Sequence, residues 1–411
     1  MRERLRVLRH PAFRNLWLAS STSVMGDSIV IVALALFVTD LTGSATDVGI
    51  VLAAQMLPLV AFLLIGGVWA DRLPRARVMI TTDVVRLTLH TLLAILIFTD
   101  QVEIWHLVVI EALFGTSEAF FRPAQTGLVP RTVPEDEIQE AQALSNLTVN
   151  LAELVGPALA TALVLGVGAG WAFLLDAATF GLSAWFLTRV RTKDVPPPVD
   201  ERGTLLAELA EGFQEVRTRA WLWVTVVVFA LAVPLWYAPL LVLGPTLAED
   251  GYGTAAIFGI LTTAFGAGAL TGALLGLRWR PEHPMRAAFL VIAAWPFMLI
   301  AFALEAPVAL VLALGAATGA GFAMFDILWN TAMAERIPPH ALSRASSYEW
   351  MGSLILMPVG FLAAGPAAEA TSPETVLVVG GILTAVVLAL GLIPRETRTM
   401  RRIERDGPTC N

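Results

Sequence analysis

Twelve apolar runs follow one another along the chain, near residues 14–38, 46–69, 79–98, 104–121, 142–166, 171–189, 221–244, 255–277, 286–304, 308–330, 347–367 and 375–393. A helix needs about 20 residues to cross the hydrocarbon core of a bilayer, and each run is close to that length. In lipid every backbone N–H and C=O must be satisfied inside the protein, so such a series folds as a bundle of helices. The composition, 56% hydrophobic and only 15% charged, agrees, because a soluble domain carries about a quarter charged residues. The net charge of −7 then says little about partners. The short connections, such as Gly166 to Gly170, leave no room for the extramembrane domain that an enzyme or a nucleic-acid-binding protein would need.

The cations are segregated. With the N-terminus inside, the odd-numbered connections hold acids (Asp40, Asp100, Glu103, Glu249, Asp250, Glu305, Glu369, Glu374) and neither Lys nor Arg. The other connections carry Arg72, Arg75, Arg77, Arg131, Arg191, Lys193, Arg217, Arg219, Arg278, Arg280, Arg336 and Arg344, and both termini are arginine-rich. The positive-inside bias places both termini in the cytoplasm. The first run is too long, and lacks a suitably placed small-residue cleavage site, for a removable signal peptide. The lone cysteine, Cys410, lies in the tail, so neither a disulfide framework nor a cysteine metal cluster is expected. Trp105, Trp171, Trp221 and Trp223 sit at span ends and read as an interfacial belt.

The sequence divides into a leader (1–13), six spans (14–189), a linker (190–220), six more spans (221–394) and a tail (395–411). The linker opens on Pro196, Pro197 and Pro198 and continues with Leu205, Leu206, Leu209, Phe213 and Val216 beside Glu208, Glu211 and Glu215. That spacing suits a helix lying on the membrane surface, and equally a plain helical linker. The halves repeat at an offset of 204 residues: Gly115 falls on Gly319, Val133-Pro134 on Ile337-Pro338, Ala141 on Ala345, Gly156 on Gly360 and Ala160 on Ala364. The expected fold is an all-α membrane protein of twelve transmembrane helices in two pseudo-symmetric six-helix bundles, an architecture of secondary transporters.

An ionisable group inside a span costs about 2.5–3.5 kcal/mol on insertion scales, so each implies a partner or a wet cavity. Asp27, Glu111 and Glu153 fall near the middles of spans one, four and five, and Arg86 is the cation deep in span three. Arg86 either pairs with Asp83 three residues earlier or serves as counter-ion to one of these acids, released when that acid binds a proton. Asn146, Asn150, Glu153 and Pro157 form a stripe on span five, read either as cavity lining or as a helix-packing surface. Trp236 and Tyr237 on span seven and Asp326 on span ten complete the candidates for a substrate cavity. The 204-residue offset also sets Asp326 opposite Arg122, a candidate inner gate. No phosphate loop, cofactor motif or metal-ligand spacing is present.

One set of motifs resembles a known family. Gly67-Val-Trp-Ala-Asp71-Arg72-Leu-Pro-Arg75-Ala-Arg77 resembles the loop signature of the major facilitator superfamily, with Pro74 where that family often has Gly or Asp. Gly26-Asp27, Thr42-Gly43-Ser44, Asp83 with Arg86, Phe121-Arg122-Pro123-Ala124, Val133-Pro134, Asn150 to Gly156-Pro157 and Asp176 to Phe180 resemble its drug and siderophore exporter branch, that of enterobactin exporters and macrolide efflux pumps. The resemblance implies a conformational latch or gate at Gly67, Asp71, Arg72, Arg75, Arg77, Glu118, Arg122, Gly156 and Pro157. It further implies efflux of a bulky, largely apolar small molecule (an antibiotic, siderophore or similar metabolite) across the bacterial inner membrane, coupled to protons by alternating access. A facilitator, an importer or a lysophospholipid flippase is the alternative, and a non-transporting receptor or scaffold a remoter one.

Overall fold

The computed structural model describes residues 6–134, 137–191, 214, 216–276, 279–337, 348–349 and 351–402. Among these residues there is no strand, and twelve segments are long and apolar enough to cross a membrane. In chain order the helices are α1 (Pro11–Thr42), α2 (Ala45–Arg72), α3 (Arg75–Phe98), α4 (Ile104–Leu128), α5 (Ile138–Gly166), α6 (Ala169–Leu187), α7 (Ala220–Tyr252), α8 (Ala256–Gly276), α9 (Pro284–Val291), α10 (Ala294–Ala303), α11 (Val308–Arg336), α12 (Met357–Ala370), α13 (Pro373–Leu390) and α14 (Arg395–Thr399). Most of the proposed linker helix, including Leu205, Leu206, Leu209 and Phe213, lies outside the described residues, as does Cys410.

The ninth apolar run folds as two helices, α9 and α10, where the sequence predicted one. The reason is Pro296, which has no N–H to give the carbonyl of residue 292 and whose ring would collide with it. The turns carry the internal repeat. After α3, Asp100 takes a left-handed φ of 54°, and after α10 Glu305 takes one of 51°. Gln101 N–H then bonds Leu96 O at 2.9 Å, and Ala306 N–H bonds Ala301 O at 3.0 Å. A side chain in that backbone region costs roughly 1–2 kcal/mol, yet the same turn closes the third-to-fourth and ninth-to-tenth span connections.

Two compact units make up the chain. The first comprises Met1–Arg202 together with Ala238–Gly266 and Met357–Val376; the second comprises Gly203–Tyr237, Ala267–Leu356 and Leu377–Asn411. In the first unit α1 packs on α5 and α6, α3 on α4 and α6, and α2 on α4 and α12. Helices in lipid gain little from apolar burial against each other, so close backbone approach decides which faces meet. Gly66 lies against the Ala119 carbonyl and Gly115 against the Gln55 carbonyl, with no space for a Cβ at either. At the arginine-free ends, Gly365 of α12 rests on Thr46 of α2, whose hydroxyl donates to Glu369 Oε1 at 2.6 Å. At the arginine-rich ends Val7, Phe13, Leu16, Met79, Phe121, Leu128 and Leu187 form an apolar core.

In the second unit α9 and α10 pack on α11 around a column of aromatic rings. Trp329 stacks on Phe325, Phe325 meets Phe229 at 4.5 Å between centroids, Phe229 meets Trp295 at 5.7 Å, and Trp295 stacks on Trp236 at 4.8 Å. Trp221 belongs to this column, edge-on to Trp329 at 5.4 Å, and is buried. That corrects its assignment to the interfacial belt: its ring is on the inward face of α7. Trp105, Trp171 and Trp223 are exposed, as a belt requires. The tail returns to this unit, where Glu396 accepts from the Trp221 N–H and Arg402 N–H bonds Glu282 O at 3.0 Å.

Candidate functional site: a buried charge cluster in the first unit

Asp83, Arg86 and His90 follow one another on α3 at steps of three and four, so all three face the same way, and all are buried. Arg86 Nη2 donates to Asp83 Oδ1 at 2.6 Å, and the Ser183 hydroxyl of α6 donates to Asp83 Oδ2 at 2.6 Å. The guanidinium carbon also lies 4.1 Å from the Phe121 ring centroid and 4.5 Å from that of Phe180. A buried cation is thereby held by one carboxylate and two ring faces.

One turn further along α3, the His90 ring is clasped between two acids from different helices. Its Nδ1 is 2.5 Å from Asp176 Oδ2 on α6, and its Nε2 is 3.6 Å from Glu111 Oε1 on α4. Phe114 stacks on the imidazole at 4.4 Å and 6°, while Phe173 and Phe180 meet it at larger interplanar angles, edge-on. His90, Glu111, Asp83 and Asp176 are each 0% exposed. Neither Glu111 oxygen has a hydrogen-bond partner among the described residues, so the His90 contact is its link to the cluster.

The cluster reaches α1 through a glycine. Asp176 Oδ1 and Thr179 Oγ1 rest directly against Gly26, in the space a Cβ would fill. The next residue, Asp27, is half-buried, in contrast to the dry groups behind it. Its carboxyl lies in the field of Arg86, Asp176, Glu118 and Arg122. Arg122 donates from Nε at 2.7 Å and Nη2 at 2.5 Å to Glu118 Oε1, and its side chain is 46% exposed. A series of groups therefore runs from the accessible Arg122–Glu118 pair past Asp27 to an interior that excludes water.

A model of the transmembrane secretion effector family matches residues 4–405 of the chain. The chain belongs to that family. It is 24% identical over 265 residues to macrolide efflux protein A of Streptococcus pyogenes, a match that spans 64% of this chain and 65% of that protein. It is 27% identical over 400 residues to the multidrug efflux pump Tap of Mycolicibacterium fortuitum, covering 94% of this chain and 95% of the pump. The fold matches that of the nucleoside transporter NupG with a TM-score of 0.74 at 12% identity, over 92% of this chain and 98% of that one. The major facilitator fold expected from the motifs is the fold observed.

Within this secretion effector chain the other predicted residues are dispersed. On α5, Asn150 and Glu153 are exposed while Gly156 and Pro157 are buried, with Gly156 against Ser28 of α1; the Asn146 side chain lies outside the described residues. Trp236 is buried in the aromatic column and Tyr237 is partly exposed beside it. Asp326 is exposed and accepts from Asn330 Nδ2 at 2.8 Å, so its hydrogen bond is within one turn of α11, just as the Arg122 ion pair is within one turn of α4. The side chains of Gly67, Asp71 and Arg72 lie outside the described residues. Arg75 lies across Gly127 of α4, where a Cβ would meet its Nε at 2.5 Å, and Arg77 is exposed.

His90, Ser183, Phe114 and Phe173 went unnoticed in the sequence, and Asp176, Phe121 and Phe180 figured there only as parts of motifs. The signal was present: His90 continues the Asp83, Arg86 face by one step of four, and Asp176 and Ser183 are two turns apart on α6.

Proposed function

We propose that this chain is a secondary active transporter that exports a bulky, largely apolar small molecule in exchange for protons, by alternating access of two six-span halves in a bacterial inner membrane. The likeness to a macrolide efflux protein and a multidrug efflux pump supports the direction and the substrate class. The coupling site in this reading is the buried cluster of the first unit, with Asp27 at its mouth.

The observation that carries the reading is a charge imbalance in a dry place. Asp27, Asp83, Glu111 and Asp176 are four carboxyls set against the Arg86 guanidinium and the His90 imidazole. With every acid ionised and His90 protonated, four negative charges meet two positive ones and the cluster is left at −2. Uncompensated charge costs several kcal/mol per ion in such surroundings, so the number of protons the cluster holds sets its energy. A conformational change that altered water access to Asp27 would alter that number, which is the link that proton coupling needs. The exposed acids Glu153 and Asp326 are proposed as contacts for substrate, and the Arg122–Glu118 pair as a gate element beside Asp27.

The test uses inverted membrane vesicles energised to an acidic lumen, with a pH-sensitive dye and erythromycin as the probe. Proton release from the lumen that follows erythromycin addition, and is absent in Asp27→Asn, is the expected result. Erythromycin movement with no proton movement would replace the antiport reading by facilitated transport.

A further inference from the structure

We propose that His90 is a proton-carrying residue of the transport cycle, passing a proton between Asp176 and Glu111. The inference rests on the proton-coupled reading above and assigns the carrier within it.

Three observations converge on this ring. First, its two nitrogens face two carboxyls from two other helices, Asp176 at 2.5 Å and Glu111 at 3.6 Å. An imidazole accepts a proton at one nitrogen and gives up the one at the other, so each passage moves one proton and returns a neutral ring of the opposite tautomer. Second, the ring is walled by Phe114, Phe173 and Phe180 and is 0% exposed, so a proton reaches it through the flanking acids and not from bulk water. Third, Asp176 turns its other oxygen, Oδ1, to the backbone of Gly26, next to the half-buried Asp27. The sequence Asp27, Asp176, His90, Glu111 thus leads from a partly exposed residue, whose Oδ1 is itself buried, to a fully buried carboxyl.

The groups that set the charge around His90 come from every helix packed on it. Arg86 and Asp83 lie on its own helix, Glu111 on α4, Asp176 on α6 and Asp27 on α1. Arg86 is engaged by Asp83 and by ring faces. His90 is therefore the group that can take up positive charge between Asp176 and Glu111, and the triad, with both acids ionised, carries −1 with the ring protonated and −2 with it neutral. If the site were structural alone, a fixed ring bonded to Asp176 would suffice, and the second, longer contact to Glu111 would have no use.

The experiment is nitrogen-15 NMR of full-length protein labelled in its 5 histidines and reconstituted in lipid. His90 is assigned by difference from His90→Gln. The expected result is a change of the His90 signal between the doubly protonated and neutral imidazole forms on passing from acidic to alkaline samples, with a slower change in Asp27→Asn. A single His90 species throughout would overturn the proposal. In parallel, His90→Gln should reduce erythromycin-evoked proton release about tenfold or more while erythromycin counterflow persists. Proton release undiminished in that variant would equally overturn it. If the wild type moves erythromycin without protons, the coupled reading fails and this inference with it, whether or not His90 titrates. If the wild type is coupled and His90 is fixed, only this inference fails.

Discussion

The two halves of this chain solve one packing problem with opposite chemistry. In the first half the interface of α3, α4 and α6 is filled by Asp83, Arg86, His90, Glu111, Asp176 and Ser183. In the second half aromatic rings from Trp236 through Trp295, Phe229 and Phe325 to Trp329 occupy the interior instead. The turns after α3 and α10 match residue for residue in their hydrogen bonds, so the backbone is shared and the filling is not. A buried ion pair is often no better for stability than well-packed apolar groups of similar volume. In the second half an aromatic interior packs α9 and α10 on α11 without buried charge among the described residues, and under the proposed function the charges of the first half are its coupling site.

That contrast can be broken most forcefully at Arg86. Arg86→Leu puts an apolar group in place of the guanidinium but strands Asp83 in a dry site, and should cost about 3–5 kcal/mol of stability, read as a lower midpoint of thermal unfolding in detergent. Asp83→Ala combined with Arg86→Leu removes both charges together and should recover most of that loss while proton coupling stays absent. A double variant as unstable as the single one would show the charges to be structural. In the second half, Trp295→Ala removes a fully buried ring and should destabilise by about 3–5 kcal/mol with the proton-to-substrate ratio unchanged in whatever fraction remains folded.

Smaller changes sharpen the comparison. Ser183→Ala removes a hydroxyl that donates to Asp83, a hydrogen bond to a charged group worth about 1.5–3 kcal/mol. Its midpoint should fall less than that of Arg86→Leu. Glu118→Gln breaks an ion pair whose Arg122 side chain is 46% exposed, so the stability change should be at most about 1 kcal/mol. An effect of the variant on proton release without a matching loss of stability would identify the pair as a gate element beside Asp27.

The twelve spans were legible from the sequence because they depend on run length and apolarity, both one-dimensional. The αL turns at Asp100 and Glu305 and the break at Pro296 follow local rules, although the break was missed until the structure divided α9 from α10. The Asp83–Arg86 pair was legible because both residues lie on one helix, three apart. The His90 triad was not, because Asp176 and Glu111 reach it from two other helices, and which faces of α3, α4 and α6 meet is fixed by packing. The same limit explains α7: spacing identified Trp236 as deep, but rotation of α7 put its ring against Trp295 and that of Trp221 against Trp329.

The central claim is that the charge cluster of the first half couples protons to transport. It is tested most directly by comparing proton-driven accumulation with counterflow of erythromycin in proteoliposomes, for the wild type and for Asp27→Asn combined with Glu111→Gln. The account predicts that the variant still exchanges erythromycin across the membrane but fails to concentrate it when a proton gradient is imposed. Accumulation by the variant at the wild-type level would contradict it.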